Sequence, residues 1–402
     1  MADVHAPMDS LVSGAFWGRN PHGELRWLRE NDPVHWDPEG GVWGITKYDH
    51  IKEIESDTAT FSNAGGIRPD TGPIPMMIDF DDPEHRMRRK LVAKGFTPNR
   101  VRAQEADITA LVHELLDEVC EGGECDFIWD VAAWVPLIMI GNALGVEPED
   151  RATLLEWSDD LLRGLGTNDL DLLTKTMAAF SGYAEYSAKV IEDRRACPRD
   201  DLMSVLVHAE VDGDRLDDDS LLHESLLILI GGDETTRHVM SGGMYQLLAD
   251  PSNWKRLLDD RELVVPAVEE MLRWVTPIKN MARTVTRTVE FHGKTLEEGQ
   301  KLLLLYPSAN RDAEHFADPD TFILDRAPND HVAFGFGTHF CLGSSLARLE
   351  LRALFNVLLD RLPDIHLVDA AEPTHRPANF VSGYESLKVA FTPTARRAPT
   401  TT

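Results

Sequence analysis

From Ser220 to Leu248 apolar residues recur three and four positions apart, and this run constrains the fold more than any other stretch of the chain. Asp218, Asp219 or Ser220 is placed to cap its start, and Pro251 lies just past its end. A helix of this length spans about 45 Å, enough to cross a whole domain, so the remaining elements must be arranged around it. Its middle reads Gly231-Gly232-Asp233-Glu234-Thr235-Thr236. Two glycines cost a buried helix roughly 1–2 kcal/mol against alanine, and Asp, Glu and Thr need partners there. Two readings stand side by side: a tolerated defect or surface kink, or a gap left for a flat ligand beside polar groups that handle protons.

Helical patterning also covers Val101–Val119, Ala152–Gly164, Leu170–Arg195, Pro266–Trp274 and Leu342–Leu362. Short β-like runs occur at Gly41–Thr46, Thr284–Phe291, Lys301–Leu305 and Leu387–Phe391. The expected class is mainly α with small β-sheets. The length of 402 residues suggests two domains, but the sequence shows no repeat, low-complexity block or long linker, so one large unit is expected.

Charge excludes one class of partner. Acidic residues outnumber basic ones by 68 to 40, which disfavours nucleic acid because phosphate binding needs clustered Lys and Arg. Four cysteines, Cys120, Cys125, Cys197 and Cys341, are too few for a disulfide scaffold. Apolar runs such as Leu226–Ile230 fall well short of the roughly 20 residues that span a bilayer, so no integral membrane segment and a cytoplasmic location are expected. Zinc templates fail: Asp117 and Leu227 stand where a second histidine would follow His113-Glu114 and His223-Glu224, and Cys120, Cys125 and His113 lack a fourth ligand.

The chemistry is concentrated in Phe334-Gly335-Phe336-Gly337-Thr338-His339-Phe340-Cys341-Leu342-Gly343. The glycines allow a tight bend and close approach to a ligand. Cys341 sits just before a helical run, where free backbone N–H groups and the helix dipole favour a thiolate and lower the thiol pKa. A lone cysteine is otherwise a small core residue.

This segment resembles the cysteine loop of bacterial cytochromes P450, with Phe334, Gly337, His339, Cys341 and Gly343 at matching positions. The resemblance implies a P450 fold, a single haem domain over residues 17–393 with flexible tails at 1–16 and 394–402, and a haem b whose iron takes Cys341 as its axial ligand. It places Phe334 against the sulfur and Gly337 close to the ring. Gly232-Asp233-Glu234-Thr235 then matches the oxygen-activating stretch, with Glu234 and Thr235 as catalytic proton relay and Gly232 beside the haem. His85, Arg89, Arg283 and His339 match propionate-binding positions, a task that suits arginine's paired donors. Spacing alone says little, since His22-x-x-x-Arg26 repeats that of His85-x-x-x-Arg89.

Glu270-x-x-Arg273, 68 residues before Cys341, resembles the family's buried Glu–Arg pair, whereas Glu192-x-x-Arg195 has the same form and reads as a surface pair. The segment that usually supplies a third partner is Pro319-Asp320-Thr321-Phe322 and has no arginine, which leaves Arg326 as the substitute.

Within the family the chain looks most similar to mycobacterial enzymes that hydroxylate the terminal side-chain methyl of cholesterol or cholest-4-en-3-one. The similarity is carried by Gly66-Ile67-Arg68-Pro69-Asp70-Thr71-Gly72-Pro73-Ile74-Pro75-Met76-Met77, Gly232-Asp233-Glu234-Thr235-Thr236-Arg237-His238, Lys279-Asn280-Met281 and Pro377-Ala378-Asn379-Phe380-Val381-Ser382-Gly383. It implies a sterol-like substrate against Ile67, Met76, Leu226, Ile230, Ile278, Met281, Phe380 and Val381. It also implies electrons from NAD(P)H through a separate ferredoxin and ferredoxin reductase. Alternatives are a P450 acting on another branched lipid or terpenoid, a peroxide-driven peroxygenase, and a non-enzymatic haem-thiolate sensor. The Glu234–Thr235 pair speaks against the peroxygenase, which need not deliver protons to bound dioxygen.

Overall fold

The computed structural model describes residues 9–165, 167, 169–211 and 213–397. Helices dominate. The principal ones are α1 (Glu84–Val92), α2 (Glu105–Val119), α3 (Trp134–Ala143), α4 (Arg151–Arg163), α5 (Leu170–Ala196), α6 (Asp218–Gly232), α7 (Glu234–Ala249), α8 (Val264–Val275) and α9 (Ser344–Arg361). A five-stranded sheet is built from β1 (Val34–Asp37), β2 (Val42–Ile45), β3 (Phe61–Ser62), β4 (Met281–Val285) and β5 (Lys301–Leu304), in the order β1-β2-β5-β4-β3. Only β2 and β5 pair in parallel, with Trp43 opposite Leu302. A three-stranded sheet pairs Lys388–Ala390 with both Glu124–Asp126 and His366–Leu367.

The long central run is helical but interrupted at Asp233, between α6 and α7. Asp217 caps it, accepting from the Ser220 N–H at 2.8 Å, one residue before the expected candidates. Hydrogen bonds cross the interruption, from Asp233 N–H to Leu229 O (3.1 Å) and Arg237 N–H to Asp233 O (3.2 Å). The run expected to form one strand, Thr284–Phe291, instead ends β4 and begins a separate hairpin strand, Val289–Phe291.

α7 is buried on nearly every side because it passes through the molecule's centre. Met240 and Met244 meet Leu354, Phe355 and Leu358 of α9 in the largest apolar cluster, together with Val268 and Met271 of α8. Burying each such side chain contributes about 1.5–3 kcal/mol. The expected tail over residues 1–16 is too long: Leu11 and Phe16 are fully buried beside Leu25 and Leu303, while residues 1–8 lie outside the described chain. At the other end, the Thr394 N–H donates to Cys120 O at 2.9 Å, and 398–402 lie outside the described residues.

Glu270 and Arg273 anchor the otherwise irregular chain that leads to Cys341. Both are fully buried, joined by two parallel hydrogen bonds of 2.7 Å. Arg273 also donates to the carbonyls of Asn310 (2.7 Å) and Pro319 (2.9 Å). Arg326 takes the third place, with its Nε 3.0 Å from Glu270 Oε2 and its Nη2 on the Asp318 and Thr321 carbonyls. Main-chain acceptors thus satisfy the spare guanidinium donors, which is what makes such a buried charge cluster tolerable. Arg195 differs in kind: it is half exposed and pairs with Asp218.

Candidate active site

The interruption at Asp233 faces the segment Phe334–Gly343 across a cavity of ≈ 1460 Å³, counting its open mouth. Gly231, Gly232 and Thr235 line one side; Phe334, Cys341 and Gly343 line the other. A Cβ on Gly231 would meet no atom within 4 Å, so the missing side chain leaves open space there. The Thr235 hydroxyl donates to the Gly231 carbonyl at 2.8 Å. The opposite loop closes through the Cys341 N–H, which donates to Phe334 O at 2.9 Å. Gly337 has a φ of +69°, and a Cβ there would stand 2.7 Å from the Glu55 carbonyl oxygen. It therefore packs on the helix carrying Glu55 and does not line the cavity, contrary to the expected approach to a ring.

Cys341 lies immediately before the first turn of α9. The N–H groups of Gly343 and Ser344, with Arg89 and Arg348, pull its thiol pKa down, as expected for a helix start. Burial nevertheless outweighs them and pushes the thiol up. The expected net lowering is thus corrected: a cation at the sulfur is what would make the thiolate the stable form.

Four basic side chains gather along one edge of the cavity: His85 and Arg89 from α1, Arg283 from β4, and His339 from the cysteine loop. The two imidazoles lie with ring centroids 4.0 Å apart. Arg89 donates to the Phe340 carbonyl. Arg283 is buried and donates to Glu55 Oε1 at 3.1 Å; the same oxygen accepts from the Tyr306 hydroxyl at 2.8 Å. Glu55 and Tyr306 line the cavity too, and no local pattern in the sequence marks either.

The acids are arranged differently from expectation. Glu234 does not line the cavity; it is fully buried and paired with Arg237 and Arg376. Asp159 of α4 bridges both guanidinia, at 3.3 Å and 3.0 Å. Burial pushes the Glu234 carboxyl up to about 7 against the pull of the two arginines. Glu350 of α9 does line the cavity, and burial, with Asp233 adding repulsion, pushes its carboxyl up to about 8. Sequence reading passed over Glu350, whose one signal is a carboxylate on the apolar face of a helix.

Of the expected apolar wall, Ile67, Ile278 and Met281 line the cavity. Phe380 and Val381 stand behind them in one cluster with Ile67, and Ile230 packs against it. Met76 and Leu226, expected in the wall, do not line the cavity and belong to the apolar core beneath α6; the adjacent Met77 and Leu227 reach the cavity instead. On a helix or tight turn a shift of one residue changes the face presented.

A family model described as Cytochrome P450 matches residues 151–381. The chain belongs to the cytochrome P450 family. This P450 is 51% identical over 391 residues to a "Steroid C26-monooxygenase" of Mycolicibacterium smegmatis, covering 97% of both chains. It is 51% identical to one of Mycobacterium tuberculosis, covering 97% of this chain and 98% of that one. Among solved structures, CYP109E1 from Bacillus megaterium in complex with testosterone superposes with a TM-score of 0.86 at 34% identity, covering 93% of this chain and 98% of that one.

P450 enzymes are monooxygenases that carry a haem-thiolate iron, and the residues here fit that group. The space beside Gly231 suits a flat ring, and the basic edge suits its two carboxylates. None of the helices among the described residues is long and apolar enough to cross a membrane.

Proposed function

We propose that this P450 hydroxylates the terminal side-chain methyl of cholesterol or cholest-4-en-3-one, in the cytoplasm. NAD(P)H supplies the electrons through a separate ferredoxin reductase and ferredoxin. The observation that carries the reading is the identity of about half the residues, over almost the full length, with two steroid C26-monooxygenases. The apolar walls agree with it: Ile67, Ile78, Leu227, Ile228, Ile278 and Met281 offer a long substrate only hydrocarbon contact. Each buried CH₂ contributes about 0.8 kcal/mol, so an eight-carbon side chain supplies several kcal/mol before the rings are counted.

When bound, haem would supply the dioxygen-activating chemistry of a monooxygenase, in which two electrons and two protons are consumed, one oxygen atom enters the C–H bond and the other leaves as water. Cys341 would hold the iron through its thiolate. Arg89, Arg283, His85 and His339 would hold the propionates and Phe334 would shield the sulfur, while Gly232 lies beside the ring's place and Gly231 and Gly343 leave room for it. Thr235, opposite Cys341, holds a proton donor over the reacting atoms. Glu234 is the acid we assign to that relay; it lies outside the cavity, where Arg237 and Arg376 donate to it and Asp159 bridges the two guanidinia.

Turnover with ferredoxin, its reductase and NADPH tests the reading. Cholest-4-en-3-one should give the terminal alcohol, with one added oxygen located by NMR. Ring hydroxylation, or equal activity on a steroid without the side chain, defeats it.

A further inference from the structure

Arg68 is 3% exposed, yet the residues around it form an apolar wall. Its Nη1 donates to Asn280 Oδ1 at 2.9 Å and its Nη2 to Asn379 Oδ1 at 2.8 Å. The guanidinium lies over the Phe380 ring, 4.5 Å from its centroid, and Asp70 stands 3.5 Å away. One side chain thus grips three segments: its own loop after β3, the chain entering β4, and the C-terminal loop.

Each segment carries part of the wall. Ile67 precedes Arg68, Ile278 and Met281 flank Asn280, and Phe380 and Val381 follow Asn379. Backbone contacts join the first pair of segments, with the Ala282 N–H on Ile67 O (2.7 Å). They join the second pair through the Lys279 N–H on Phe380 O (2.7 Å) and the bridge between Ile278 and Val381. The remaining side of the triangle, from the Ile67 loop to the C-terminal loop, is closed by Arg68 and Asn379. Asn280 and Asn379 are themselves tied, Nδ2 to carbonyl, at 2.8 Å.

We infer that Arg68 is a positioning residue that fixes the distal wall and so sets which carbon of the substrate faces the iron. A buried guanidinium gains little stability over a well-packed hydrophobe, and what it supplies instead is a single geometry. A flexible aliphatic chain needs that geometry. Its tertiary C–H bonds are weaker than those of its terminal methyl, so attack at the end requires walls that hold the chain in register. The regiochemical half of this inference rests on the sterol reading above; the wall half does not.

Both halves are tested on the ferric holoenzyme. Imidazole, which reaches only the iron, is compared with N-dodecylimidazole, whose chain lies along the wall. In Arg68→Met the alkylimidazole should bind about tenfold more weakly, while imidazole affinity, haem content and the carbon monoxide band of the reduced protein stay as in the parent. Asn379→Ala, which removes one acceptor, should give about a threefold loss, and Arg68→Lys should recover part of the affinity. If Arg68→Met gives no holoenzyme, Asn379→Ala decides. Unchanged ratios of the two affinities, or equal weakening of both ligands, overturn the inference. With cholest-4-en-3-one, Arg68→Met should spread oxidation from the terminal methyl to interior carbons, and the parent's product distribution in this variant overturns the regiochemical half. A parent that makes no terminal alcohol removes the sterol reading and leaves the imidazole pair to judge the wall.

Discussion

His85 and His339, 4.0 Å apart between ring centroids, bring α1 and the cysteine loop together at the basic edge of the cavity. Burial first, then His85, Arg283 and Arg89, push His339 down to about 3, so the positive charge of this edge resides on the two guanidinia. Arg283→Ala should therefore loosen the haem. A charge-assisted hydrogen bond is worth about 1.5–3 kcal/mol, so loss to excess apomyoglobin should speed up about ten- to a hundredfold. Arg283→Lys should fall between the two, and equal rates in all three proteins would argue against a propionate at this position.

Cys341→Ser should remove the strongly red-shifted Soret band of the reduced, carbon monoxide-bound protein. A neutral hydroxyl is a much poorer donor to iron than a thiolate. Retention of the band would take the iron away from Cys341.

Removing the Glu270 carboxylate strands two guanidinia, Arg273 and Arg326, inside the fold. Breaking a buried pair in this way costs about 3–5 kcal/mol, a large share of an ordinary domain's stability. Glu270→Ala should yield little soluble, haem-loaded protein. Normal yield and cofactor content in that variant would contradict the buried network.

Thr235→Ala should bind substrate as the parent does and divert electrons to hydrogen peroxide. General acid–base steps contribute typically about 10²–10⁴-fold, so alcohol formed per NAD(P)H should drop clearly. Coupling equal to the parent's would assign proton delivery elsewhere, with Glu350 the next candidate.

Glu350 gives a pH dependence of known sign. Burial raises its carboxyl from the ordinary 4.5 to about 8, so the folded state holds the proton more tightly than the unfolded state. Its contribution is fully present below the lower value and is lost as pH rises toward the higher one. Glu350→Gln, with no proton to lose, should flatten the fall of Tm across that window. Parallel curves for parent and variant would show that the carboxyl titrates normally.

Much of this was legible in the sequence because it depends on short spacing. Leu170–Arg195 was readable as a helix from its apolar recurrence, and the observed α5 spans Leu170–Ala196. The Glu270–Arg273 pair needs only one helical turn. α3 escaped because Val135–Gly141 is buried on all sides, which erases the periodicity that marks a helix. The turning of Glu234 away from the cavity escaped as well, since it is set by Arg376, 142 positions later. Glu55 is of the same kind: its partners Arg283 and Tyr306 are distant in the chain, and nothing near it signals them.

The cavity draws its lining from residues scattered between Glu55 and Leu351, so no fragment of the chain possesses it. The cysteine loop alone would be a peptide with one thiol. Pigment is consequently a property of the finished molecule, and the redness of a cell pellet counts folded copies. A library of variants can then be ranked for folding by eye, before any substrate is added.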